Sequence, residues 1–344
     1  MTPDFSMPAE WMPHARTWMA WPCRPEAWPG PEGLARAKNA YAAVAKAIAR
    51  FEPVTLAVPP LSATRASPLA DISPHQCFAR GGRNSEHGIE IWEVALDDSW
   101  ARDIGPTFVT GPAGRAAVQW RFNAWGGKYR PFDHDAAFAT RVAEKVDVAV
   151  RKAPIFCEGG AIHSDGQGML LTTEQCLLNP NRNPGLAKSD VEQVLRDFIG
   201  ARRVVWLGEG FSDSETDGHV DNIACFAGKG RVILGVPDSQ SHPDHTPVME
   251  AKKRLKAAGL EVIELVQPRA IRYDRLGRLL QTSYVNFTLC NGGLVMPSFD
   301  DPHDEPARAL LADCFPGRDI VTVPALDIVA GGGGIHCITQ QEPA

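Results

Sequence analysis

The feature that most restricts the fold is a helix-then-strand phrase that recurs along the chain. Leu34, Tyr41, Val44 and Ile48 at helical spacing predict a helix over 32–50, followed by the extended run Val54-Thr55-Leu56-Ala57-Val58 and stopped by Pro59-Pro60. The phrase returns as 135–146 with 148–150, and as 191–199, capped by Ser189, with 204–207. It returns twice more, as 249–258, closed by Gly259, with 262–265, and as 305–314 with 320–323. The last four units recur at roughly 50–60 residues, which marks a repeat architecture. The expectation is one α/β domain spanning residues 1–344, built from five αβ modules closed into a ring. A doubly wound open sheet is the competing architecture, but its Gly-rich βα fingerprint is missing. The 31 glycines and 28 prolines fit many short elements joined by tight turns.

Between the modules lie β-prone segments that carry polar residues, at 97–110, 157–173, 216–236, 283–299 and 334–341. A ring would bring these segments to one centre. In Trp100-Ala101-Arg102-Asp103, the acid stands at a strand end just before Gly105-Pro106, where side chains reach into clefts. Arg102 neutralises Asp103 or another acid, and Asp97 and Asp98 read as solvated turn residues. Glu158 directly precedes Gly159-Gly160, so no neighbouring Cβ crowds it. On a strand, His219 and Asp221 would share one face, as a hydrogen-bonded pair or as part of a ligand site. A metal held by His219, Asp221 and Cys225 is the weaker reading, because zinc sites show tighter paired spacing.

The last of these segments is the most unusual. Four glycines, Gly331 to Gly334, precede Ile335-His336-Cys337, and the β-prone Ile338-Thr339-Gln340 would hold the thiol on a strand. Alone, a cysteine beside a glycine loop is a small buried hydrophobe. Taken with Asp103, Glu158, Asp221 and His219 it suits a specific task. A guanidinium is planar, stays protonated and offers donors in a fork that carboxylates match. Burying that cation requires compensating negative charge. A thiolate would then attack the central carbon while the imidazole passes a proton to departing ammonia and takes one from water.

With these residues in view, the chain resembles the agmatine deiminases of the guanidine-modifying superfamily. The likeness runs through Trp18-Met19-Ala20-Trp21-Pro22, Phe122-Asn123-Ala124-Trp125-Gly126-Gly127, Leu178-Asn179-Pro180-Asn181-Arg182-Asn183-Pro184, Gly218-His219-Val220-Asp221-Asn222, Ser283-Tyr284-Val285-Asn286-Phe287 and Ile335-His336-Cys337. The resemblance implies a five-bladed α/β propeller that hydrolyses agmatine to N-carbamoylputrescine and ammonia without metal or organic cofactor. By motif, Cys337 would be the nucleophile, His219 the acid/base, Asp103 and Asp221 the grip on the guanidinium, and Glu158 a partner of His219 or of the substrate. Trp100, Asp217 and Gly334 are the expected substrate contacts, with Glu215 as an alternative to Asp217 for the distal amine. Gly334 departs from the family's usual Asn, so an amide is missing beside the thiol. Segment 64–88 matches poorly and reads as a lineage-specific loop.

A net charge of −6 argues against a nucleic-acid partner and permits a small cationic guanidino substrate. No run of apolar residues is long enough to span a membrane. Residues 1–6 lack a secretory signal pattern and the eight cysteines are scattered singly, so a reduced, cytoplasmic protein is expected. A homo-oligomer is compatible with the sequence and not required by it. Three other functions share these residues: a deiminase or amidinotransferase acting on arginine or another guanidino compound, a cysteine amidase, and a binding protein without chemistry.

Overall fold

The computed structural model describes residues 4–28, 30–60, 87–212, 215–274 and 277–344. Most of segment 64–88, up to residue 86, therefore lies outside the described residues. The five expected helices are present as Gly33–Ala49, Asp133–Lys145, Lys188–Ile199, His245–Ala257 and Asp304–Cys314. Ser189 does not cap its helix. That helix starts one residue earlier, and the Asp190 carboxylate accepts from the Ala187 amide at 2.9 Å. Gly259 does take the left-handed conformation (φ +81°) that ends its helix.

The strands form five small sheets among the described residues, giving a mixed α/β fold. In the first, His14–Ala20 (β1) lies parallel to Val54–Val58 (β2), which lies parallel to Ile89–Glu93 (β3). The second joins Thr107–Gly111 (β4), Gly114–Arg121 (β5) and Ala149–Phe156 (β6), and the third joins His163–Ser164 (β7), Met169–Thr172 (β8) and Arg203–Trp206 (β9). The fourth contains Ala224–Phe226 (β10), Arg231–Val236 (β11) and Glu261–Val266 (β12). The fifth contains Thr288–Cys290 (β13), Gly293–Ser298 (β14) and Asp319–Pro324 (β15). Each of these last four sheets begins with an antiparallel pair and ends with a parallel strand reached through one long helix. Thr339–Pro343 (β16) supplies the antiparallel partner that β1 would otherwise lack, so the two ends of the chain complete the first module together.

Helices cover the middle strands of these mixed sheets, which accordingly read as apolar runs. Val232, Ile233 and Leu234 of β11 and Leu294, Val295 and Met296 of β14 are all buried. Trp18 and Trp21 also belong to the core. Among the described residues no helix is long and apolar enough to cross a membrane.

The closure of β16 on β1 carries one costly group. Glu342 is buried and accepts from the Trp18 indole at 3.0 Å, while Arg115 of β5 (2.5 Å) and Arg16 of β1 (3.4 Å) answer its charge. Glu342→Ala leaves that buried indole N–H without a partner and takes one carboxylate from each guanidinium, Arg16 keeping Glu90 at 3.1 Å and Arg115 keeping Pro343 O at 2.8 Å. It is expected to lower the unfolding free energy by about 2–3 kcal/mol in urea titrations.

Candidate active site

In every module the loop that enters the first antiparallel strand ends at the same central place. Asp103 precedes β4, Glu158 precedes β7, His219 and Asp221 precede β10, Asn286 precedes β13 and Cys337 precedes β16. The loops are stitched to one another by direct bonds. The Arg102 amide donates to Cys337 O at 3.1 Å, the His336 amide to Asn286 Oδ1 at 2.9 Å, and Ser283 Oγ to Asn222 O at 2.7 Å.

The local backbone differs from a set of strand ends. Asp103 sits in a one-turn helix, Ala101–Ile104, and Asp221 in a 3-10 turn, Val220–Asn222, which begins just after His219. Cys337 lies in the turn before β16 and not on the strand. Period-2 alternation therefore does not explain why His219 and Asp221 converge. A glycine does. A Cβ on Gly160 would meet His219 Nδ1 at 2.6 Å, Asp221 Oδ2 at 2.9 Å and Asp103 Oδ1 at 3.0 Å, so this position must lack a side chain for the three to meet.

The central groups are buried and closely spaced. Cys337 Sγ lies 3.3 Å from Asp221 Oδ2, within reach for the thiol to donate. His219 stands 3.8 Å from Asp103 through Nδ1 and 3.5 Å from Glu158 through Nε2, and neither ring nitrogen makes a hydrogen bond. Asp103 accepts from the Gly160 amide at 3.0 Å and from the Trp125 indole at 2.9 Å. Trp125 has left-handed backbone (φ 55°), unusual for an aromatic residue, and this strain sits at the residue aimed at Asp103.

Each charge has a distinct answer. Burial raises the Glu158 carboxyl, but Arg182 at 2.7 Å outweighs it and leaves Glu158 below its ordinary value. Asp221 is likewise lowered against burial by His336, whose Nδ1 is 2.9 Å away. The far side of His336 bonds Glu10 at 2.9 Å, and Glu10 in turn pairs with Arg102 at 3.2 Å. Arg102 thus serves Glu10 and not Asp103. Asp103 has no cationic side chain of its own apart from His219; burial first, then Asp221 and Glu158, push its pKa up. His219 is raised well above its usual value, because Asp103, Cys176 and Glu158 outweigh burial. Burial, Asp221 and Asp103 push the Cys337 thiol up, opposed by the Gly334 amide and by Asn286. This is a negatively charged pocket holding a neutral thiol, and a bound cation would relieve both conditions.

A cavity of about 350 Å³ leads to the sulfur, lined by Trp100, Asp103, Trp125, Tyr129, Glu215, Thr216, Cys337 and the glycines 331–333. Trp28 stacks on Trp100 with ring centroids 5.7 Å apart. The glycines allow this: a Cβ on Gly331 would meet the Trp28 ring at 2.2 Å, and one on Gly333 the Trp100 ring at 2.5 Å.

Several sequence expectations need correction here. Asp217 does not line the cavity, because its carboxylate is taken by Arg182 at 2.7 Å and Lys128 at 3.1 Å. Glu215 lines it instead. Asp98 is not solvated; it is buried against Arg24 at 2.9 Å. Cys225 lies on β10 with Glu10 and Cys314 as its electrostatic neighbours, so the grouping of His219, Asp221 and Cys225 as a metal set does not form. Gly334 does not leave the thiol without an amide. A Cβ there would fall 2.3 Å from Asn286 Oδ1, and Asn286 Nδ2 reaches Cys337 Sγ at 3.3 Å. Asn286, Arg182, Trp125, His336 and Glu10 carry no role in the sequence reading. The repeat itself pointed to Asn286, since 283–299 was the one polar segment without a named site residue.

The sequence matches the Porphyromonas-type peptidyl-arginine deiminase family over residues 6–343. The agmatine deiminase of Pseudomonas aeruginosa (strain LESB58) is 41% identical over 375 residues, covering 99% of this chain and 96% of that protein. The structure of the Enterococcus faecalis agmatine deiminase is 34% identical with a TM-score of 0.86, covering 99% and 96% of the two chains. That of a C. jejuni agmatine deiminase with a cysteine replaced by serine and substrate bound is 26% identical, again with a TM-score of 0.86 and coverage of 99% and 96%.

The Asn286 amide is the side-chain donor bonded to the sulfur, so Asn286→Ala removes a contact that favours the thiolate. Alkylation of Cys337 by iodoacetamide, followed by peptide mass spectrometry, is expected to slow about tenfold, a change of roughly 1.4 kcal/mol.

Proposed function

The chain belongs to the Porphyromonas-type peptidyl-arginine deiminase family, and we propose that it hydrolyses agmatine to N-carbamoylputrescine and ammonia, with Cys337 as nucleophile. The observation that carries this reading is the convergence of one thiol, one imidazole and three carboxylates from four different modules in one buried pocket. Its relatives named agmatine deiminases support the substrate. We also read the five modules as the blades of a ring, a five-bladed α/β propeller forming one catalytic domain, because each module delivers its loop to the same centre. The chemistry needs a reduced thiol, which fits a cytoplasmic setting.

In the resting pocket the Cys337 thiol donates to Asp221. The guanidinium enters with its positive charge against Asp103 and Asp221, which supply the negative charge its desolvation requires. That cation favours loss of the thiol proton to solvent by way of Asp221, and the thiolate attacks the central carbon and forms the C–S bond. His219, as imidazolium, gives its proton to the departing nitrogen, and ammonia leaves a thiouronium on Cys337. Neutral His219 then takes a proton from water. The resulting hydroxide adds to the same carbon, the C–S bond breaks, and the hydroxyl proton passes to the departing sulfur, which leaves the neutral ureido product and restores the Cys337 thiol. Glu158, fixed by Arg182, holds His219 in place. Trp100 flanks the path, and Glu215 lines the cavity with its carboxylate held by Arg278 at 2.6 Å and by the Tyr129 hydroxyl at 2.5 Å. Asp217 acts one step removed, by orienting Arg182. Gly334 contributes space for Asn286 and not a substrate contact.

Ammonia release is expected with agmatine, with much slower turnover of arginine and of a blocked arginyl peptide. Cys337→Ala is expected to abolish it, and turnover of the peptide alone would overturn the substrate assignment. The imidazolium form of His219 persists below its raised pKa and is lost above it, so the rate should fall as pH rises through that value. Glu158→Gln removes one charge that raises it, so the alkaline limb of the pH–rate profile should move to lower pH. An unmoved limb would assign that proton to another group.

A further inference from the structure

Cys176 lies outside the chemistry just described, yet its thiol is buried beside the acid/base pair. It sits in the turn Glu174–Leu177, and its amide is held by the Thr173 hydroxyl at 3.2 Å. Its sulfur is 3.9 Å from Glu158 Oε2, and the same oxygen is 3.5 Å from His219 Nε2. One ligand atom from each of the three residues falls within 4.8 Å of the other two.

We propose that Cys176, His219 and Glu158 form an inhibitory site for a thiophilic divalent cation of the zinc class. A tetrahedral zinc ion with bonds of about 2.0–2.3 Å to sulfur, nitrogen and oxygen separates its ligand atoms by roughly 3.3–3.7 Å. The two spacings to Glu158 Oε2, 3.5 and 3.9 Å, lie in or next to that range, and the third falls within 4.8 Å. Cysteine, histidine and one carboxylate oxygen are also the donor types zinc prefers.

Two further observations point to a ligand here. Both ring nitrogens of His219 are buried and make no hydrogen bond, so Nε2 offers a lone pair to a cation once its proton is displaced. The Glu158 carboxylate is already oriented. Arg182 occupies Oε1 at 2.7 Å, which leaves Oε2 turned toward the histidine and the sulfur, as an outer partner does for a metal-binding carboxylate. Binding breaks the Cys176 S–H bond, forms the metal–sulfur bond and sends the proton to solvent, and any proton on His219 Nε2 leaves with it.

The consequence rests on the function proposed above. A metal on His219 Nε2 takes away the proton donor and adds positive charge beside the acids that the guanidinium needs, so the metal-loaded protein does not turn over substrate. Metal binding itself does not depend on that function, which allows separate tests. Cobalt(II) added to Cys337→Ala is expected to bind one equivalent, with a thiolate-to-cobalt charge-transfer band that zinc abolishes. Adding Cys176→Ala should remove the band, and Cys176→Ser serves if the alanine variant does not fold. With Cys337 intact, zinc should inhibit agmatine hydrolysis, and Cys176→Ala should retain turnover while raising the inhibitory concentration at least a hundredfold. A band that survives loss of Cys176, or inhibition unchanged by it, overturns the site. A band that follows Cys176 in a protein that does not turn over agmatine leaves the site standing and removes the proposed function.

Discussion

Three carboxylates buried around one imidazole keep their charges only if something answers each of them, and the centre of this protein is arranged by how unequally that is done. Glu158 is answered by Arg182, a guanidinium with no exposed side chain. Asp221 is answered by His336, which is itself bracketed by Glu10 and steadied by Arg102. Asp103 is left with two neutral donors and a share of His219. The residual negative charge therefore concentrates beside the sulfur, and its natural complement is a flat cation. The same arrangement keeps the thiol neutral until that cation arrives, because a thiolate there would be a further buried anion.

This balance explains why groups far from the sulfur belong to the site. Glu10 comes from the segment before β1, and it reaches the nucleophile only through His336 and Asp221. Arg182 lies in the loop between β8 and its long helix, and it connects Asp217 to Glu158. Ends of the chain more than three hundred residues apart meet in the first sheet, so closing that sheet and assembling the site are one structural event.

The fold was largely legible before any coordinates. Period 3.6 and β-branched runs placed five helices and the strands after them, because those patterns are local and each helix must bury one face. The repeat also located the five polar segments. Within them, Cys337, His219, Asp103, Glu158 and Asp221 do come together. The errors share a cause. Residue type and near neighbours alone make Ser189 a cap, His219 and Asp221 strand neighbours, Asp98 solvated and Asp217 a substrate contact. What decided each was a partner from elsewhere in the chain, or a turn that breaks the local period: Arg24 for Asp98, Arg182 and Lys128 for Asp217.

The sequence by itself determined the modular α/β repeat, the segments that carry chemistry and the kind of cation they suit, since these follow from periodicity and from the donor inventory of side chains. Only the tertiary structure decided which acid is neutralised by which base, that Asn286 occupies the space beside Gly334, and that Cys176 and not Cys225 stands next to His219. Those facts are pairings across long loops. Their energies depend on burial and on distances of a few ångströms, and neither is fixed until the loops of different modules are packed against one another.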